Sequence, residues 1–134
     1  MSLTKLISLL LFWILNNTNY DTSKFDYKVN IVDKEVIEEI ACNGKCPIVA
    51  YFNPEHGVLL SKGNFNDVCF QSILLHEIIH ALQFQSEKKI EYSFKELEAY
   101  SLQLKYLEDY SKKNDLLKPL NLKSCRSNQH NILF

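Results

Sequence analysis

The chain has 134 residues, 46% apolar and 23% charged, which fits one globular domain and indicates neither disorder nor a low-complexity tail. Its formal net charge is -1, from 15 Lys+Arg against 16 Asp+Glu, with Arg126 the single arginine, so there is no electrostatic footprint for nucleic acid. Three glycines in all leave no Gly-rich phosphate loop, which excludes most nucleotide-binding readings.

In chain order, Lys5 precedes a nearly unbroken apolar run from Leu6 to Leu15, followed by the polar Asn16-Asn17-Thr18-Asn19. Ten helical residues span about 15 Å, half of a ~30 Å hydrocarbon core, too short for a comfortable membrane span. A positive start, a short apolar core and a polar exit are the layout of an export signal. Residues 1–19 therefore read as a signal peptide, with a periplasmic or secreted destination for residues 20–134. No small-x-small cleavage site follows the run, so an uncleaved signal anchor and a plain buried helix stay open.

Phe25 to Ile31 alternates apolar and polar residues, the pattern of a half-buried strand. Asp33 reads as the cap of a short amphipathic helix, Glu35 to Ala41, which Asn43-Gly44 ends. Ile48 to Phe52 and Val58 to Ser61, separated by the turn-rich Asn53-Pro54-Glu55-His56-Gly57, read as a hairpin. From about Asn66 to Gln85 no glycine or proline occurs, and the run Ile73 to Leu82 is apolar nearly all round, as in a buried central helix. A second long helix is expected from about Ser93 to Ser111, then an irregular tail. The order predicts a small α+β domain with a short sheet.

Four cysteines, Cys42, Cys46, Cys69 and Cys125, suggest disulfides in an exported chain. Cys42 and Cys46 flank a turn short enough to close locally, and Cys69–Cys125 would staple the tail to the central helix. Buried free thiols in a cytoplasmic protein are the other reading. A four-cysteine zinc site is disfavoured by the absence of any C-x2-C spacing.

The central helix contains His76-Glu77-Ile78-Ile79-His80. Two imidazoles four residues apart share a helix face and can reach one metal ion. Glu77, beside the first, stands in the position of a general base. The bland reading is two core histidines around a surface glutamate. It is strained, because Leu74, Leu75, Ile78, Ile79 and Leu82 leave little water for three polar side chains. For a third ligand the second long helix offers Glu96 and Glu98. At ~100° per residue, Glu96 falls within the stripe Leu97, Tyr100, Leu104, Leu107 and Tyr110, whereas Glu98 lies about 160° from Tyr100 and reads as solvated. In the competing reading Glu96 caps the helix by folding back on Ser93.

His76-Glu77-x-x-His80 followed by Glu96-Leu97-Glu98-Ala99-Tyr100 resembles the gluzincin metallopeptidases, which hold zinc with His, His and Glu. It is more similar still to small exported bacterial proteins combining H-E-x-x-H-x-x-Q with E-x-x-A-Y-x-x-Q, matched here by His76 to Gln83 and Glu96 to Gln103, a resemblance covering roughly Pro47 to Leu107. It implies a zincin-like fold, one Zn2+ on His76, His80 and Glu96, and hydrolysis of peptide bonds by a zinc-bound water that Glu77 activates. Many gluzincins place an Asp four residues after the Glu ligand; here Tyr100 stands there, a phenol able to hydrogen-bond a ligand or an oxyanion. Tyr92, Tyr51 and His56 are equivalent oxyanion candidates.

One hairpin strand could be an exposed edge that pairs with an extended peptide. His130, in the tail, is assigned no role. The expected partner is a peptide or protein substrate, with no nucleic acid and no membrane apart from a signal anchor; the oligomeric state is left open. The rival from another class is a non-catalytic zinc-binding scaffold that retains the zincin fold. Only three ligands are apparent, as in open catalytic sites rather than closed structural ones. A di-iron carboxylate protein would need a second E-x-x-H, which the chain lacks.

Overall fold

The computed structural model describes residues 1–44, 46, 48–86 and 89–128. It is a small α+β domain of helices α1 (Leu3–Asn17), α2 (Lys34–Cys42), α3 (Val68–Gln85), α4 (Tyr92–Lys113) and α5 (Leu122–Asn128), with strands β1 (Val29–Ile31), β2 (Ala50–Asn53) and β3 (Gly57–Leu60). His130 lies outside the described residues.

The sheet has the order β1-β3-β2, with β1 parallel and β2 antiparallel to β3. The strand expected over Phe25–Ile31 shortens to Val29–Ile31, which pair in register with Val58, Leu59 and Leu60, and single bonds from the Val58 N–H to the Lys28 carbonyl and from the Val32 N–H to the Leu60 carbonyl close its two ends. Phe25 and Tyr27 pack on the core as side chains instead. The hairpin turn needs Gly57, whose φ is 77° and where a Cβ would lie 2.7 Å from the Lys28 carbonyl oxygen. β3 is central and wholly buried, which leaves β2 as the sheet edge that faces the motif helix.

The apolar run forms α1. Ser2 caps it by accepting the Lys5 N–H at 3.1 Å. Leu6, Leu10 and Ile14, four residues apart, are fully buried in the common core, and each such side chain contributes about 1.5–3 kcal/mol. Trp13 donates its indole N–H to Asp109 at 3.0 Å and meets the Tyr106 ring edge-on at 5.4 Å. Among the described residues no helix is long and apolar enough to cross a membrane.

α3 is capped by Asp67, whose carboxylate accepts the Cys69 and Phe70 N–H groups at 2.8 and 3.4 Å. It is buried along almost its whole length, between the sheet on one side and α4 on the other. The buried residues of α4 are Ala99, Gln103, Tyr106, Leu107 and Ser111. That corrects the expected stripe: Leu97 is 62% exposed and Tyr110 36%. The smallest side chain, Ala99, marks the true contact face, because it lets two helices approach, and a stripe read from large apolar residues is therefore rotated away from it.

The tail expected to be irregular contains α5, started by reciprocal capping: the Ser124 N–H donates to Asn121 Oδ1 at 2.8 Å, and the Asn121 N–H to Ser124 Oγ at 2.9 Å. Both expected disulfides are present, Cys42–Cys46 and Cys69–Cys125. The first closes the turn after α2, where Asn43 adopts a left-handed φ of 52°. The second joins the first turn of α3 to α5.

Candidate metal centre

One helical turn separates His76 from His80 on α3, and their Nε2 atoms lie 3.0 Å apart. Glu96, on the inner face of α4, brings Oε1 to 3.7 Å from His76 Nε2 and into closer contact with His80 Nε2. Single ligand atoms from the three residues all fall within 4.8 Å of one another, a group that can hold a metal ion. Glu96 does so instead of folding back as a helix cap, and no side-chain bond caps α4 at Glu91.

The outer hydrogen bonds decide which nitrogens carry protons. Gln83 donates its amide N–H groups to the Lys95 carbonyl at 2.9 Å and to Glu98 Oε1 at 3.0 Å, two groups that can only accept. Its Oε1 must therefore face His80 Nδ1, 2.8 Å away, and that nitrogen must donate. The same logic holds for His76. Ser72 spends its single hydroxyl proton on the Cys69 carbonyl at 2.7 Å, so it accepts from Gln103 Nε2 at 3.3 Å. In that arrangement Gln103 Oε1 faces His76 Nδ1 at 2.9 Å and accepts from it. When neutral, both imidazoles thus turn Nε2 lone pairs toward each other and toward a carboxylate.

Three acceptors converging without a donor repel one another unless a cation sits among them, either a metal ion or an added proton. The charge preferences agree. Burial alone would lower the pKa of His76, but the adjacent Glu96 and Glu77 carboxylates raise it above its ordinary value. His76 beside Glu96, helped by the charge of His80, holds the Glu96 carboxyl below the usual range against the opposing effect of partial burial.

Glu77 is buried, which pushes its carboxyl pKa up despite both histidines and the hydrogen bond from β2. That bond runs from the Phe52 N–H to Glu77 Oε1 at 2.9 Å. The other oxygen, Oε2, lies 3.8 Å from His76 Nε2, beside the ligand group but outside it. The Tyr100 ring packs 4.5 Å from the His76 ring, centroid to centroid.

These residues border a cavity of about 400 Å3 whose walls also include Tyr51, Phe52, Pro54, Phe84, Tyr92 and Lys95. His76, Glu77, His80, Glu96 and Tyr100 thus share one cleft, as do Tyr51 and Tyr92. His56 is held in the hairpin turn by its N–H to the Asn53 carbonyl and does not line the cleft.

Glu98 is half-buried and hydrogen-bonded rather than freely solvated. It accepts from Gln83 and from the Tyr20 hydroxyl, because the segment after α1 passes over this face of α4. The sequence reading left Gln83 and Gln103 without roles, although two amides on otherwise buried helix faces are a signal of a required hydrogen-bond partner. Among known proteins no family model, no curated protein and no solved structure matches the chain.

Proposed function

We propose that the chain is a zinc-dependent peptidase that hydrolyses peptide bonds in an extended substrate segment. The observation that carries this reading is the convergence of two imidazole lone pairs and a carboxylate, with both Nδ1 protons already committed to glutamines. Two histidines and one glutamate make the three-ligand set of open catalytic zinc sites. His76, His80 and Glu96 would hold the ion, which when bound supplies an acidified water and polarises a carbonyl.

Glu77 then acts as general base. Its raised proton affinity suits it to take a proton and return it to the leaving amine, and the Phe52 N–H fixes its orientation. Tyr51, Tyr92 and Tyr100 bring phenols to the cleft wall, where a phenol can donate to a developing oxyanion. The edge strand β2 borders the cleft and can pair with an extended backbone. One wall is aromatic: Phe52 packs against Tyr27 at 4.9 Å and Phe84 at 5.9 Å. Phe84 nevertheless remains 53% exposed. A large apolar substrate side chain next to the scissile bond would cover it. The two disulfides are compatible with an extracellular location, in keeping with export.

The test is cleavage of a random peptide library by the zinc-loaded full chain. The expected outcome is chelator-sensitive cleavage beside bulky apolar residues, with that preference weakened in Phe84→Ser. Stoichiometric zinc with no cleavage of any peptide would instead establish the non-catalytic zinc-binding scaffold.

A further inference from the structure

We infer that Tyr20 and Glu98 are positioning residues for the metal ligand His80, acting through Gln83. This rests on the metal-site reading above and extends it to the segment just after α1, far upstream of the motif helix.

The two histidines are anchored differently. Gln103, which holds His76, is fixed by Ser72, so that His76 is oriented wholly within α3 and α4. Gln83, which holds His80, depends on a chain of bonds that leaves the helix pair. Its amide donates to Glu98 Oε1, and the same oxygen accepts the Tyr20 hydroxyl. Turning the Gln83 amide over would set its oxygen against two acceptors, Glu98 Oε1 and the Lys95 carbonyl, and would face His80 Nδ1 with a donor. The Tyr20 bond keeps Glu98 aimed at Gln83, so the chain just after α1 closes the back of the metal site. A cavity of about 740 Å3, bordered by Tyr20 and Glu98, lies against this far end of the relay. The segment that carries Tyr20 is therefore part of what sets His80 Nε2 toward the metal.

Zinc affinity of the full chain, measured by competition with a chromophoric chelator, tests the relay in Tyr20→Phe, Gln83→Leu and the double variant. Gln83→Leu should weaken zinc by about 10–100-fold, the range for an outer partner of a metal histidine. Tyr20→Phe, which removes one oxygen and no charge, should weaken it by about threefold, and should add nothing once Gln83 is gone, since coupled residues are not additive. An unchanged affinity in Tyr20→Phe, or an equal loss in both backgrounds, overturns the relay. Cobalt-substituted spectra should shift in Tyr20→Phe, whereas a purely structural loss would leave them unmoved.

The imidazole 15N shifts of the metal-free chain give a readout independent of zinc. They should report a protonated His80 Nδ1 in the wild type, partial exchange between both nitrogens in Tyr20→Phe and full exchange in Gln83→Leu. If the wild type binds no zinc yet shows this graded difference, the relay stands and the metal reading falls. If His80 behaves in Tyr20→Phe as in the wild type, the relay falls whatever the metal does.

Discussion

Glu77→Gln should keep zinc bound and lower kcat for peptide cleavage by about 10²–10⁴-fold, the usual contribution of a general base. The substitution is nearly isosteric, and the amide oxygen can still accept the Phe52 N–H that now reaches Glu77 Oε1 at 2.9 Å. The fold should not suffer: burial disfavours the ionised carboxylate, and a neutral amide removes that cost. Glu77 lies outside the three-residue ligand group, so metal content should match the wild type. Zinc titration beside steady-state kinetics measures both quantities on one preparation. A variant that retains wild-type kcat would place the base elsewhere, and one that loses zinc would make Glu77 a ligand.

The second large effect concerns the staple behind the site. Removing the Cys69–Cys125 disulfide by the double substitution to alanine should lower unfolding stability by about 4 kcal/mol on the chain-entropy account. That figure follows from the sequence separation of 56 between the two residues. Cys42–Cys46, with a separation of 4, should be worth about 2 kcal/mol on the same account. The order of the two follows from geometry as well as entropy. Cys69 and Cys125 are both buried in the core, where the bond fixes α5 to the first turn of α3. Cys42 and Cys46 close a turn at the surface. Urea midpoints of the two double variants against wild type measure this directly, and a larger loss from the turn disulfide would contradict it.

What was legible in the sequence was local. The H-E-x-x-H spacing put His76 and His80 on one face because helical periodicity is intrinsic to the chain. Glu96 followed because an acid turned toward a helix partner needs a counter-group. The hairpin was marked by turn residues, the two disulfides by spacing. What required distant partners was hidden. β1 is only Val29–Ile31 because its register against β3 pairs just Val58 to Leu60, a length no residue in 25–31 encodes. Glu98 read as solvated because a helical wheel knows nothing of the segment carrying Tyr20, which crosses that face. The contact face of α4 was misplaced because Ala99, a small residue, decides helix approach where large residues were weighed. Gln83 and Gln103 were visible as motif letters, but their work depends on the Lys95 carbonyl, Glu98 and Ser72, none of which spacing alone connects to them.

His76, His80 and Glu96 are expected to hold a divalent metal through Nε2 and a carboxylate oxygen. Elemental analysis of the purified full chain tests this most directly, run beside His80→Ala and Glu96→Ala with folding of each checked by circular dichroism. Zinc equimolar with the wild-type chain, and lost from both folded variants, is the result expected of a site with few ligands to spare. Wild-type protein free of metal after incubation with zinc, or folded variants that keep it, would contradict the account.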